Sequence, residues 1–145
     1  MSPLKHIAAL SCALLSLNAL AEESDVVGLW LSGDGDGWIE LRRDGDDVIG
    51  IVAGSPNKKE GDPPRLDGKN PDPALRGRIL DGVTIMKGFK YDGDDYWSGG
   101  TIYDPNSGNT YKGTLKLLDR DKVKLRGFIG ISLFGRSDTW TRVKD

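Results

Sequence analysis

The chain has 145 residues, 37% of them hydrophobic and 29% charged, with a formal net charge of −2. That length fits one globular domain, and the absence of a basic excess argues against a general nucleic-acid binder. One His and one Cys in the whole chain leave no material for a disulfide framework or a His/Cys metal cluster.

The first segment reads as an export signal. Lys5 supplies the positive n-region, and Ile7 to Leu17 form an apolar run broken by Ser11, Cys12 and Ser16. Ala19-Leu20-Ala21 then offers small residues where signal peptidase cuts. The run is shorter than the roughly 20 residues a bilayer span requires, so no membrane span is expected. A lipid-anchored reading would use Cys12, but Cys12 lies inside the apolar run and Ala9-Leu10-Ser11 matches that pattern poorly. The expectation is therefore a signal peptide over 1–21, cleaved after Ala21, and a single periplasmic or secreted domain over 22–145. Cleavage removes Lys5, His6 and Cys12 and takes the net charge from −2 to −3. A domain of this size buries about two-thirds of its unfolded surface, enough to stand on a hydrophobic core alone.

Beyond the leader, short extended segments alternate with Asp/Gly/Asn turns, and no run carries a helical period. The predicted strands are Val27–Ser32, Trp38–Arg43, Val48–Ala53, Val83–Tyr91, Tyr96–Tyr103, Thr110–Leu118, Lys122–Ile131 and Arg136–Val143. Alternation gives their faces: Ile39 and Leu41 oppose Trp38, Glu40 and Arg42, and Val123, Leu125, Ile129 and Ile131 oppose Lys122, Lys124 and Arg126. The fold class is all-β. About eight consecutively paired strands suit a small antiparallel up-and-down barrel, which has no free sheet edge. An open sandwich is the structural alternative.

One stretch breaks this regularity. Gly54–Leu80 holds Pro56, Pro63, Pro64, Pro71 and Pro73, so it cannot be regular sheet. A connection this long in a small domain is a lid, a binding loop or disordered. Asp72-Pro73 is suited to start one helical turn, with Asp72 as cap and Pro73 in first position. Asp67, Asn70 and Arg76 are the loop's candidate ligand-binding residues, weighed against a loop that merely caps itself.

The loss of imidazole and thiol excludes His-based triads and thiol nucleophiles in the mature domain. No cofactor or metal is expected. Runs such as Asp34-Gly35-Asp36 and Asp92-Gly93-Asp94 superficially resemble calcium loops, yet they lack the closing Glu and fall at hairpin turns, where Asp and Gly belong. Aromatic and arginine side chains are better candidates. Arg136, Asp138, Trp140 and Arg142 share one face of the last strand, with Arg136 placed to meet an anionic or carbonyl-bearing ligand. Trp97, Tyr103 and Tyr111 complete the candidate lining, against the plainer reading of core aromatics.

Gly28-Leu29-Trp30 near the first strand and Trp140-Thr141-Arg142 in the last resemble the G-x-W and terminal arginine of the calycin and lipocalin barrels. The resemblance implies that Trp30 and Arg142 stack to close one barrel end. A closer resemblance covers Gly28 to Val143. Asp67-Gly68-x-Asn70-Pro71 with Arg76 and Arg78, Gly99-Gly100-x-Ile102-Tyr103-Asp104-Pro105, Gly108-x-x-Tyr111, Arg126-Gly127-x-x-Gly130-x-Ser132-Leu133-x-Gly135-Arg136 and Thr139-Trp140-x-Arg142 are similar to the exported bacterial family known as domain of unknown function 2147. That family implies a lipocalin-like fold and leaves the ligand open. Many of its members carry a cysteine before the third-strand glycine, where this chain has Ile49.

The favoured reading is an exported lipocalin-like protein that binds a small amphipathic or apolar ligand inside its barrel under the proline-rich loop. Two others stand beside it: a filled barrel docking an envelope protein or glycan, and a carboxylate hydrolase with Asp67 and Asp104 as the first acids to examine.

Overall fold

The computed structural model describes residues 23–128 and 136–144. Residues 1–22, with the predicted signal peptide, residues 129–135, with Ile129 and Ile131 of the seventh predicted strand and Gly130, Ser132, Leu133 and Gly135 of the family pattern, and Asp145 lie outside them.

Eight strands run in chain order: β1 Gly28–Leu31, β2 Trp38–Asp44, β3 Asp47–Gly54, β4 Thr84–Gly93, β5 Tyr96–Asp104, β6 Asn109–Asp119, β7 Lys122–Phe128 and β8 Arg136–Arg142. Each pairs antiparallel with the next, and β8 returns to β1 through Trp30 opposite Arg142 and Leu31 opposite Thr141. The sheet is a closed barrel, not a sandwich. Turn chemistry sets several strand ends. Asp94 and Asp95 both take positive φ, 52° and 57°, as the tight β4–β5 hairpin demands. The acidic turn residues bind their own turns: in Asp34-Gly35-Asp36, Asp34 Oδ1 accepts from Ser32 Oγ at 2.6 Å and Asp36 N at 3.0 Å, and in Asp119-Arg120-Asp121, Asp119 Oδ1 accepts from Asp121 N at 2.8 Å.

Up-and-down connectivity gives the barrel two unlike ends. One collects the start of β1, the tight β2–β3, β4–β5 and β6–β7 turns and the end of β8. The other collects the β1–β2 turn, the long β3–β4 loop, the β5–β6 turn and the beginning of β8.

The first end is solid. Trp30, Leu41, Phe89, Leu115 and Val123 are fully buried there with Val26. Trp97 packs among them, its ring centroid 4.9 Å from that of Tyr91. Phe89 crosses the interior only because its neighbours lack side chains: a Cβ at Gly113 would lie 2.6 Å from Ile102 Cδ1 and 3.2 Å from Phe89 Cζ. The Arg142 guanidinium carbon sits 4.3 Å from the centre of the Trp30 ring. Its three nitrogens donate to the carbonyls of Arg120, Val27 and Asp25 at 2.8, 2.9 and 2.5 Å. The Trp30 indole N–H donates to Val26 O at 2.9 Å. A planar fork that stacks and caps carbonyls at once is what guanidinium offers over ammonium.

A candidate ligand cavity at the open end

The β3–β4 loop has its own frame. Leu66 bridges Ile79, while Asp67 N donates to Arg78 O at 3.0 Å and Leu80 N to Arg65 O at 2.9 Å. Between these, Pro73–Leu75 makes one 3₁₀ turn, with Asp72 accepting from Ala74 N at 3.0 Å and Pro73 opening the turn. The loop is tied back to the barrel through Gly82 N, which donates to Val52 O at 2.8 Å.

At the centre of the loop lies a buried carboxylate. Asp67 is 0% exposed. Its Oδ1 accepts from the Tyr103 hydroxyl of β5 at 2.5 Å, and its Oδ2 from Asn70 Nδ2 at 2.8 Å and Arg78 Nε at 2.9 Å. Burial pushes the Asp67 carboxyl up; the hydrogen bonds from Tyr103, Asn70 and Arg78 and the Arg78 charge outweigh it and hold the group below its usual range. Burial, then the Asp67 bond and charge, push the Tyr103 hydroxyl up to about 12. Arg76 Nε donates to Asn70 O at 2.8 Å, which straps the 3₁₀ turn to the same centre. Gly108 in the β5–β6 turn completes the seat, with φ of 79° and room for Lys69 only because it has no Cβ.

Under this loop the barrel opens into a cavity of about 590 Å³. Small-molecule sites run from about 300 to 1,000 Å³. Its floor is apolar, built from Ile39, Val52, Ile85, Ile102, Leu125 and Trp140. Leu80 and Arg65 bring the loop into the wall, and Tyr103, Tyr111 and Arg136 stand higher. The rim acids have partners. Asp138 Oδ2 accepts from Trp140 Nε1 at 2.8 Å and Gly33 N at 3.1 Å, which pins the β1–β2 turn to β8. Asp36 faces Arg65 at 3.6 Å and accepts from Asn57 at 3.2 Å. Ser32, then the Asp36 N–H, hold Asp34 below the usual carboxylate range. Arg136 makes no ion pair among the described residues.

The structure thus divides the residues singled out from the sequence. Tyr103, Tyr111, Arg136 and Trp140 line the cavity. Trp97 does not line it; it belongs to the solid end, where Tyr91 and Leu115 flank it in the sheet. Asp67, Asn70 and Arg76 are absent from the lining as well, because their polar groups hold the loop together. Asp67 and Asp104 make no open acid pair: Asp67 is sealed, and Asp104 accepts from Asn106 N and Ser107 Oγ, both at 2.9 Å. Arg78 and Asp138, the partners that fix the loop and the rim, were visible only as members of a motif and of a strand face. Arg65 and Leu80 gave no local signal, since loop closure alone brings them to the wall; Ile85 reaches it from the inner face of β4.

An eight-stranded closed barrel, solid at an arginine-capped end and hollow under a long loop at the other, is a lipocalin-like architecture. A solved structure supports that class: the Helicobacter pylori protein described as "Protein HP1028 from the human pathogen Helicobacter pylori belongs to the lipocalin family" superposes with a TM-score of 0.74 at 19% identity, over 83% of this chain and 84% of that one. The chain itself belongs to the DUF2147 family of uncharacterized proteins conserved in bacteria, whose pattern it matches over residues 28–142. No curated protein sequence matches it.

Proposed function

We propose that this protein is an exported carrier or sensor that holds one small amphipathic molecule in the open half of its barrel. The observation that carries the reading is the cavity of about 590 Å³, with an apolar floor and a polar rim that includes the Arg136 guanidinium. An apolar body would rest on Ile85, Ile102 and Trp140, and a polar head would meet Tyr111 and Arg136. Asp67, Asn70 and Arg76 serve this site indirectly by holding the loop that forms its wall. The same reading places the protein in the periplasm or outside the cell, with its mature chain starting at Glu22; N-terminal sequencing of exported material checks this.

Binding is tested with N-phenylnaphthylamine, whose emission rises in an apolar pocket, and by native mass spectrometry of protein taken from the periplasm. A Cβ at Gly127 would touch Tyr111 Cβ at 3.5 Å, an ordinary contact, so a side chain fits there. Gly127→Leu is expected to take up part of the cavity wall beside Tyr111 and to weaken the probe signal while the circular dichroism of the barrel is kept. Equal probe affinity in the wild type and this variant would overturn the barrel interior as the site.

A further inference from the structure

The outer face of the barrel over β4 to β7 carries a cation cluster that the cavity does not use. Lys87, Lys112, Lys116, Lys122, Lys124 and Arg126 point outward, alternating with buried Leu115, Leu117, Val123 and Leu125. The pairing places them in rows. Lys87 and Lys112 flank Thr101, Arg126 lies between Thr114 and Ser137, and Lys116 stands directly opposite Lys124, which in turn faces Thr139. Acidic residues in β5 to β7 stand only at strand ends, Asp104 and Asp119, the latter opposite Lys122. None of the six cations makes an ion pair among the described residues. The Lys116 ammonium reaches only a backbone carbonyl, that of Asp94.

This is unusual for a chain of net charge −2. Like charges set directly opposite on neighbouring strands destabilise a sheet, and the Asp94 carbonyl offsets only part of this for Lys116, so an anion lying over the Lys116–Lys124 pair would relieve it. Phe128 stands opposite Lys112 and Tyr96 opposite Lys116, in separate rows, so these two rings form no continuous stack for sugars or bases. The cluster is convex, and five of its six cations are lysines, point charges on flexible stems that settle on a plane of anions without fixed geometry.

We propose that the β4–β7 face docks the barrel on an anionic lipid bilayer, its lysines lying among phosphate headgroups with the cavity mouth at the side. Each lysine near such a surface contributes about a fivefold gain in partitioning. The experiment is sedimentation of the full mature protein with vesicles of phosphatidylcholine containing phosphatidylglycerol, and with vesicles of phosphatidylcholine alone. Binding is expected only to the anionic vesicles, with release as added salt shortens the screening length. The double variant Lys116→Gln with Lys124→Gln is expected to partition about 25-fold less, at fivefold for each lysine. Both side chains face solvent, so this variant is expected to fold and to keep N-phenylnaphthylamine binding. Failure of anionic vesicles to bind, or equal binding by the wild type and the double variant, would overturn the proposal. Capture by soluble polyphosphate with the vesicles left free would overturn it in favour of a soluble polyanion.

Discussion

At the scale of single residues, Asp67 decides how the loop is held. A carboxylate with no solvent contact is costly to bury, and it is tolerated here because three side chains donate to its two oxygens. Asp67→Ala removes the centre of that network and is expected to lower stability by about 2–4 kcal/mol in urea unfolding. Arg78, about a third exposed at 35%, accounts for the smaller part of that loss. The pH dependence has a definite sign. The folded carboxyl titrates below its unfolded value, so the stability it supplies is complete above about pH 4 and is lost as the pH falls through the folded value. Asp67→Asn should flatten that acid limb in thermal melts taken from pH 6 downward. Tyr103 acts on the alkaline side. Its neutral hydroxyl contributes fully below pH 10, and the contribution disappears as the pH rises toward about 12. Tyr103→Phe should remove that alkaline loss and cost about 1–2 kcal/mol at neutral pH.

At the scale of elements, the first and last strands matter most, because the β1–β8 seam is short and only two residue pairs close it. Arg142 reinforces that seam by stacking on Trp30 and by three bonds to carbonyls of the segment before β1 and of the β6–β7 turn. Arg142→Gln keeps a polar side chain but loses the stack and the fork. An expected loss of about 1–3 kcal/mol would appear as a lower urea midpoint at unchanged slope. The packing of β4 against β6 sets a second limit. Gly113 leaves the space that Ile102 and Phe89 fill, and Gly113→Val should overpack it at a cost of about 1–3 kcal/mol in the same assay.

At the scale of the whole molecule, the barrel divides into two halves. The interior of the arginine-capped half is filled by core side chains, with a cleft left outside it between Ser24, Asp25 and the β6–β7 turn, while the open half keeps a space of about 590 Å³. Ligand that binds only the folded barrel stabilises it by mass action, by about 2.7 kcal/mol at a hundred times the dissociation constant. The melting temperature of the wild type should therefore climb with added N-phenylnaphthylamine, and that of Gly127→Leu should climb less. The cationic face lies on the outside of strands whose inner residues form the core and wall. Cavity and docking surface can thus be altered independently by substitutions on opposite sides of one strand.

Much of this architecture was legible before folding because it is local. Period-two alternation, Asp/Gly turns and the spacing of eight extended segments set the strand ends that fall among the described residues to within a residue or two, and Asp72-Pro73 announced the 3₁₀ turn. A strand's inward face follows from its own pattern, so Tyr111 and Trp140 could be marked as candidate lining from sequence alone. What a side chain meets across the interior is not local. Trp97 and Trp140 look alike in sequence, yet one lies in the packed end and the other in the cavity wall, because strand tilt and the glycines around Phe89 decide where the barrel fills. Asp67, Asn70 and Arg76 carry groups fit for a ligand, and only the fold of the loop turns them on one another. Composition and pattern determined an all-β chain of eight consecutive antiparallel strands; the tertiary structure alone decided that they close into a barrel, which polar groups face the cavity and which hold its walls.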